Sequence, residues 1–292
     1  MFGEIIRSFR KQNELSQLDF VNALQKSNSN FDNLDVVTLS RWERGATKPH
    51  LNRQNEILSM LGIDIFDVWA AVNDVSVLPE YTKKLNNHSY FSQTAIDGVE
   101  LIVINSSNLN KLSEITNLLD VIFEYEDNII FKTLESQGLA RELIVTKIVN
   151  QYDGEISISI KHGQIIGHLF MASYRLVTDI LGEQVAFSDN KVHFMLSFNC
   201  SHVDTLVETL SREAYRYIYS LDPDTKLVLF VNNQRIFNLF FSLNFEYRTI
   251  TNNGIKFKFM DTDMKTLKSQ RVWMNLISQY KGKNHVQVSS GR

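Results

Sequence analysis

The spacing of apolar residues changes once along the chain, at Gly98, and this change limits the possible folds more than any other feature. Before it, apolar residues recur three and four positions apart, as at Phe2, Ile5, Ile6 and Phe9, which predicts amphipathic helices. After it, apolar runs of strand length alternate with segments of helix length. A chain of 292 residues is also long for a single core. We therefore predict an α+β protein with an all-α N-terminal domain and a C-terminal α/β domain built on a central mixed sheet.

The first part of the chain predicts five short helices. Ser16 and Asp19 form a capping-box pattern at the start of the second helix. Asp35 is placed to cap the third helix, and Gly45 occupies a position where helices end in the left-handed conformation. The polar stretch at 27–33 is interpreted as a turn, and two further helices are expected at 51–61 and 65–75.

The rest of the chain predicts the strands of one sheet and the helices that cover it. Strands are expected at 99–105, 155–161, 165–174, 191–199, 226–232, 245–251 and 255–260. Helices are expected at 107–123, 204–220 and 234–243, and Asn252-Asn253-Gly254 predicts a tight hairpin turn. The expected divisions are a first domain at 1–75, a linker at 76–97, a second domain at 98–263, and a C-terminal helix and tail at 264–292, with the tail from Lys281.

The run TLSRWERGATKP, at residues 38–49, has the composition of a helix that reads DNA and of the loop behind it. A helix in the major groove needs an apolar rear face, and Leu39 and Trp42, three positions apart, supply one. The base-facing positions are Val36, Val37, Ser40 and Arg41. Phosphate contacts are expected from Gln17, Arg44, Thr47 and Lys48. The alternative is an ordinary charged helix whose surface ion pairs contribute little.

LSQLDFVNAL followed by TLSRWERGATKP resembles the Cro/C1 or XRE family of helix-turn-helix DNA-binding domains, over about residues 2–75. The resemblance implies a transcriptional regulator that binds double-stranded DNA. We expect it to act as a homodimer on an inverted repeat. By motif position, the resemblance assigns phosphate contacts to Gln17, Arg44 and Lys48, base-facing positions to Val36, Val37 and Arg41, and a structural role to Glu43. The chain departs from the family in its longer turn between Leu24 and Asp35.

Three segments of the second domain resemble the GNAT acetyltransferase fold. They are VELIVINSSNLNKLSEITNLLDVIF, KHGQIIGHLFMA and VLFVNNQRIFNLFFSLNFEYRTI, the last with Asn233, Leu239, Leu243 and Phe245 at the family's spacing. Active members hold acetyl-CoA on the backbone amides of a glycine-rich loop. Here the loop is Asn199-Cys200-Ser201-His202-Val203-Asp204, which contains no glycine and no cation, and Phe240 replaces the general-acid tyrosine.

These departures favour a degenerate GNAT-like domain that senses a small-molecule effector or dimerises, without catalytic residues and without a required cofactor. Its candidate ligand-binding residues are Asn199, Cys200, Ser201, His202 and Asn233. The alternative is an acyl-CoA-dependent N-acetyltransferase fused to a DNA-binding domain. In that case acetyl-CoA or another acyl-CoA would use the amides at the start of the helix near Asp204.

Composition excludes several other classes. The net charge of −3 means that any DNA contact must use a local basic patch. Cys200 is the only cysteine, so no intrachain disulfide can form, and with His202 it gives neither zinc spacing nor a Cys-His catalytic pattern. Charges at Glu4 and Arg7 interrupt the apolar region that a signal peptide would need. No run of apolar residues is long enough to span a bilayer. We therefore expect a cytoplasmic protein. The aromatic run FNLFFSLNFEY fits a core helix and strand better than a base-stacking platform.

Overall fold

The computed structural model of the chain describes residues 2–72, 97–182, 185, 191–231, 233–252 and 255–289. The chain divides into two compact units. The first, called the helical unit below, comprises residues 1–76 and 265–292, and the second, called the sheet unit, comprises residues 77–264. The expected linker at 76–97 lies outside the described residues except for Asp97.

The chain begins with helices α1 (Phe2–Gln12), α2 (Gln17–Ser27), α3 (Val36–Glu43), α4 (Leu51–Met60) and α5 (Ile65–Val72). There follow β1 (Glu100–Ile104), α6 (Thr116–Tyr125), α7 (Ile129–Ser136), α8 (Arg141–Gln151), β2 (Glu155–Lys161), β3 (Gln164–Ala172), α9 (Arg175–Leu181), β4 (Val192–Cys200), α10 (Val203–Ser220), β5 (Lys226–Val231), α11 (Gln234–Ser242), β6 (Glu246–Asn252) and β7 (Ile255–Thr262). The last helices are α12 (Met264–Lys268) and α13 (Arg271–Ser289). Within these described ranges, none of the helices has the length and apolar character needed to cross a membrane.

The residues expected to bound the helices of the first part form the expected hydrogen bonds. Ser16 Oγ accepts a hydrogen bond from the Asp19 amide at 3.1 Å, and the Asp19 carboxylate accepts one from the Ser16 amide at 3.1 Å. Asp35 Oδ1 accepts a hydrogen bond from the Thr38 amide at 2.6 Å, so α3 begins directly after it. Gly45 has a φ of 70°, which glycine adopts without steric cost. The predicted start of α2 and both ends of α3 are therefore confirmed.

The turn between α2 and α3 contains a buried aromatic residue that the sequence pattern did not predict. Phe31 is 0% exposed, although it lies in the stretch interpreted as polar. The guanidinium of Arg53 lies 5.4 Å from the centroid of its ring, and Gln25 Nε2 donates a hydrogen bond to the Leu34 carbonyl at 2.9 Å. This long turn is therefore packed onto the helical core, where a cation over an aromatic ring adds to its stability.

The last helix of the chain packs against α5, near the start of the chain. Trp69 Nε1 donates a hydrogen bond to Asn275 Oδ1 at 2.6 Å, and Lys281 Nζ lies 2.7 Å from Asp64 Oδ2. Helix α13 continues to Ser289. The expectation of a tail from Lys281 was therefore wrong for residues 281–289, because Lys281 is fixed by an ion pair that the apolar periodicity does not reveal.

The seven strands in the described part of the chain form one mixed sheet in the order β1-β2-β3-β4-β5-β7-β6. Neighbouring strands are antiparallel except for β4 and β5, which are parallel. The ladder between β4 and β5 joins Val192–Met195 to Lys226–Leu229. Since β4 continues to Cys200 and β5 to Val231, the C-terminal ends of the two strands diverge. The predicted central mixed sheet is confirmed, and its order is consistent with a GNAT-like α/β domain.

The strands agree closely with the sequence prediction, whereas several helices do not. All seven predicted strands are present, and Asn252 pairs with Ile255 as expected for a hairpin whose two turn residues lie outside the described residues. The helix predicted at 107–123 is a 3-10 turn at Leu109–Glu114 followed by α6. Helices α7, α8 and α9 were not predicted.

Helix α8 shows why its segment escaped prediction. Its buried residues are Ile144, Val145, Ile148 and Val149. These β-branched side chains favour strands by intrinsic preference. In the structure they belong to the core cluster of the sheet unit, and burial in that core overrides the local preference.

Candidate functional site

The exposed side of α3 presents an apolar and a cationic side chain one helical turn apart. Val37 is 58% exposed, and Arg41 is also exposed. On the opposite side, Leu39 and Trp42 are 0% and 4% exposed. The other two predicted base-facing residues, Val36 and Ser40, are half-buried. The predicted rear face is therefore buried, and the four predicted base-facing residues are at least partly accessible to solvent.

A buried carboxylate connects α3 to the two helices that precede it. Glu43 accepts hydrogen bonds from Arg10 Nε at 2.6 Å, Arg10 Nη2 at 3.0 Å and Gln17 Nε2 at 2.8 Å. Its side chain is 3% exposed, and that of Arg10 is 13% exposed. Burial alone would raise the pKa of Glu43, but the hydrogen bonds from Arg10 and Gln17 and the charge of Arg10 outweigh it and lower that pKa. The orientation of α3 is thus set by a hydrogen-bonded ion pair.

The four predicted phosphate-contacting residues occupy two different environments. Gln17 is half-buried and donates to Glu43, behind the exposed surface. Arg44, Thr47 and Lys48 are exposed, and Arg44 Nε, at the C-cap of α3, donates to the Ser40 carbonyl at 3.2 Å. Three of the four residues therefore lie on an exposed segment that directly continues the exposed side of α3.

Three of the five predicted ligand-binding residues line one small cavity of the sheet unit. Asn199, Cys200 and Ser201, at the end of β4, help to enclose about 170 Å³. Glu126 and Arg235 also line this cavity, and they come from the end of α6 and the start of α11. Both side chains are ionisable, and sequence reasoning did not assign either residue to this cavity.

The other two predicted ligand-binding residues lie elsewhere. Asn233 lines a second cavity, of about 370 Å³, and its Oδ1 accepts a hydrogen bond from the Arg235 amide at 2.8 Å, which caps α11. His202 is the N-cap residue of α10, and its Nδ1 lies 2.8 Å from Ser201 Oγ. The structure therefore distributes the five predicted residues over two cavities and the start of a helix.

A chain of polar contacts crosses the gap between the diverging ends of β4 and β5. Arg235 donates a hydrogen bond to the side-chain oxygen of Asn199, and it lies 3.4 Å from the Cys200 carbonyl oxygen. Asn199 Nδ2 in turn donates to Glu126 Oε1 at 2.7 Å. Glu126 is 5% exposed, and this burial raises its pKa more than the Asn199 hydrogen bond and the Arg235 charge lower it. These contacts join the end of β4 to the end of α6 and to the start of α11, the helix that follows β5.

Two side chains that line this cavity, His168 and Cys200, are of the types that act as a base and as a nucleophile, but burial prevents both roles. Burial lowers the pKa of His168 to about 3, so its imidazole is neutral at pH 7, and its Nε2 lies 3.0 Å from Ser197 Oγ. Burial raises the pKa of the Cys200 thiol to about 12, so the thiol remains protonated. Among the residues that the structure describes, no three His, Cys, Asp or Glu side chains are grouped so that they could hold a metal ion.

The segment that follows β4 does not fit the pyrophosphate of acetyl-CoA. Ser201 and His202 alone separate β4 from α10, and the Ser201 amide donates back to a carbonyl of β3 at 2.8 Å. Asp204, in the first turn of α10, would place a negative charge beside the phosphates. Phe240 is 0% exposed and has no proton to donate. The residues present are therefore a poor match for acyl-CoA binding and for general-acid catalysis.

Glu126 and Arg235 are the residues of this cavity that sequence reasoning missed. Neither is distinguished by its surroundings in the sequence: FEYEDNIIF around Glu126 contains two other acidic residues, and four of the seven residues of VNNQRIF around Arg235 are polar or charged. A charged side chain is buried only when it has a partner. The local sequence therefore does not indicate that these two side chains line one cavity.

The comparisons with known proteins found similar solved structures and no matching family. No family model and no curated protein matches the chain. The structure of AAC(6')-Ib in complex with ribostamycin and coenzyme A matches 60% of this chain and 98% of its own, at 17% identity and a TM-score of 0.38. An N-acetyltransferase from Staphylococcus aureus matches 57% and 98%, at 8% identity and a TM-score of 0.34. The histone acetyltransferase HPA2 and related acetyltransferase from Corynebacterium glutamicum matches 57% and 97%, at 14% identity and a TM-score of 0.35. Likeness at this level assigns neither an activity nor a substrate to the chain.

Proposed function

We propose that this chain is a sequence-specific DNA-binding regulator of transcription, whose helical unit reads double-stranded DNA through α3. The observation that carries the proposal is the distribution of side chains on that helix. Val37 and Arg41 are exposed on one side, and Leu39 and Trp42 are buried on the other. A helix with an anchored rear face and short or cationic exposed side chains suits the major groove, which is about 12 Å wide.

In this proposal the residues of the helical unit have two roles. Val36, Val37, Ser40 and Arg41 contact base edges, and Arg44, Thr47 and Lys48 contact phosphates. Gln17 joins the second group, because its amide carries two N–H donors and only one of them is needed for the hydrogen bond to Glu43. The ion pair between Glu43 and Arg10 supports these roles, since a helix that reads bases must be held in a fixed orientation.

The regulator is proposed to act in the cytoplasm as a homodimer on an inverted repeat, with half-sites one helical turn, about 34–36 Å, apart. The sheet unit is proposed to sense a small-molecule effector or to form the dimer. The burial of Cys200 and His168 and the poor fit to acyl-CoA support a role in binding over a role in catalysis.

The test of DNA recognition begins with selection from a random-sequence duplex library by the full-length chain. We expect one enriched, two-fold symmetric site, whose affinity is then measured by fluorescence anisotropy at several salt concentrations. An absence of enrichment, together with salt-sensitive binding that is equal for all duplexes, would refute sequence-specific recognition.

Single variants then separate the two kinds of contact. Arg41→Ala should reduce discrimination at one base pair by about 1–3 kcal/mol, whereas Lys48→Ala should weaken binding to all sequences and reduce the salt slope by about 1. Lys26→Ala is the matched control, because Lys26 is an exposed cation of α2 outside the proposed interface. If Arg41→Ala weakens every sequence equally, Arg41 contacts phosphate and its proposed role is wrong.

A second candidate function is acyl-CoA-dependent N-acetyl transfer by the sheet unit. It is favoured by the strand order and by the diverging parallel strands β4 and β5, and it is opposed by the segment around Ser201 and by Phe240. Calorimetric titration of the full-length chain with acetyl-CoA decides between the candidates. Binding at micromolar concentration would support the transferase, whereas no heat of binding, together with a dimer in analytical ultracentrifugation, would support the regulator.

A further inference from the structure

The helical unit contains a cavity that none of the roles described above uses. It encloses about 650 Å³ and is lined by residues from α1, the segment between α3 and α4, α4, α5 and the start of α13. Pockets that bind small organic molecules have volumes of about 300–1,000 Å³. The cavity therefore has the size of a ligand site.

The most buried residues that line this cavity are apolar. Phe2, Leu58 and Ile65 line it and are 6%, 1% and 8% exposed. Trp69 also lines it and is half-buried, and its Nε1 is held by Asn275 Oδ1 at 2.6 Å. This hydrogen bond restricts the orientation of the indole, and its ring adds apolar surface to the lining.

The more accessible lining residues are basic. Lys48, His50 and Arg271 line the cavity and are all exposed. Among the described residues that line it, none is an aspartate or a glutamate. Asp64, directly before α5, and Asp67, within it, lie 2.7 and 2.6 Å from Lys281 Nζ, and this ion pairing partly offsets their charge. The cavity therefore combines buried apolar lining residues with exposed basic ones.

We propose that this cavity binds a small organic anion with an apolar body. The apolar body lies against Trp69 and Leu58, and the acidic group interacts with Lys48 and Arg271. Burial of apolar surface supplies affinity, and charge-assisted hydrogen bonds supply the preference for an anion. A further consequence for DNA binding rests on the proposed function. Because Lys48 would contact both the anion and a DNA phosphate, the bound anion would weaken DNA binding.

The test uses two probes that share a ring system and differ in charge. The full-length chain is titrated with 1-anilinonaphthalene-8-sulfonate, an anion, and with N-phenyl-1-naphthylamine, its neutral counterpart, and probe emission is followed. We expect the anion to bind at least tenfold more tightly, since one charge-assisted hydrogen bond changes affinity by about tenfold or more. Equal affinities would overturn the proposal.

Variants locate the bound probe. Arg271→Gln should weaken binding of the anion by about tenfold while leaving the neutral probe unchanged. Val68→Phe, which fills part of the cavity, should weaken both probes. Lys26→Gln, which removes an exposed cation elsewhere in the same unit, should change neither affinity. If Arg271→Gln and Val68→Phe bind the anion as wild type does, the probe binds elsewhere and the proposal is wrong.

The outcome for the cavity does not depend on DNA recognition. If the chain binds no DNA, the two titrations still decide whether the cavity accepts an organic anion. If the chain binds DNA and the anion binds in the cavity but leaves DNA affinity unchanged, the shared use of Lys48 is refuted while the binding site is retained.

Discussion

Replacing Arg10 with alanine tests whether the ion pair beneath α3 holds that helix in place. Glu43 accepts hydrogen bonds from Arg10 at 2.6 and 3.0 Å and from Gln17 at 2.8 Å, and its side chain is 3% exposed. The variant removes both charged donors and leaves a buried carboxylate with a single amide donor. Removing one partner of a buried ion pair costs about 3–5 kcal/mol. Because Arg10 is 13% exposed, water partly replaces it, and we expect a loss of about 3 kcal/mol.

The assay takes advantage of the positions of the tryptophans. The chain has three, Trp42, Trp69 and Trp273, and all three belong to the helical unit. Urea unfolding followed by tryptophan emission therefore reports on that unit. With a slope of about 1–3 kcal/mol per molar urea, the expected loss lowers the unfolding midpoint by about 1–3 M. Lys11→Ala, on the same helix at an exposed position, is the control and should change stability by less than about 0.5 kcal/mol.

The pH dependence separates the ion pair from simple loss of packing. The pKa of Glu43 is lowered in the folded state from its ordinary value of 4.5. Such a carboxyl group stabilises the fold at pH values above its ordinary pKa, and this stabilisation is lost as pH falls through its folded-state pKa. In Arg10→Ala the part of the lowering that Arg10 causes is lost, so the difference from wild type should be largest at pH 7 and should shrink towards pH 3. A loss of the same size at both pH values would show that Arg10 acts through packing, and the reasoning would be wrong.

Three further predictions concern single residues. Phe31→Ala should destabilise the helical unit by about 3–5 kcal/mol in the same urea assay, because the ring is 0% exposed. Asn33→Ala, at an exposed position of the same turn, is the control, and an equal loss of stability in the two variants would contradict the prediction. Cys200 should react with Ellman's reagent only in denaturant, since the thiol is 2% exposed and burial raises its pKa to about 12; rapid reaction in buffer would contradict it. Burial raises the pKa of Glu126 in the folded protein. As pH rises from below the ordinary carboxyl pKa to above this folded-state pKa, wild type should therefore lose stability relative to Glu126→Gln. Thermal unfolding followed by circular dichroism at pH 4 and 8 measures this, and parallel changes in the two proteins would refute it.

Local chemistry explains where sequence-based prediction succeeded. The ends of α3 are set by the side chain of Asp35, which bonds to the Thr38 amide, and by the positive φ of Gly45. Both effects act within a few residues, so they can be inferred from sequence. The strands were predicted for a similar reason. Apolar residues that alternate with polar ones, or that form short runs between turn residues, favour extended structure whichever strands lie beside them.

Prediction failed where burial by distant parts of the chain decided the outcome. Phe31 stands in the polar stretch SNSNFDN, and its burial depends on packing by residues such as Arg53, which follow α3. Helix α8 is rich in β-branched residues, and only the core of the sheet unit makes its helical form favourable. For the candidate ligand-binding residues, the sequence pointed to the end of β4 but gave no sign that Asn233 lines a different cavity.

The sequence by itself determined the helix caps, the strands, and the apolar and exposed sides of α3, because each depends on residues a few positions apart. The tertiary structure alone decided that Glu126, Asn199 and Arg235 form one polar chain across the diverging strands. It also decided that α13 packs against α5 through Trp69 and Asn275. These contacts join residues between about 36 and 206 positions apart. Hydrogen bonds and ion pairs over such separations are selected by the whole fold, because a charged or polar side chain is buried only where another element supplies its partner.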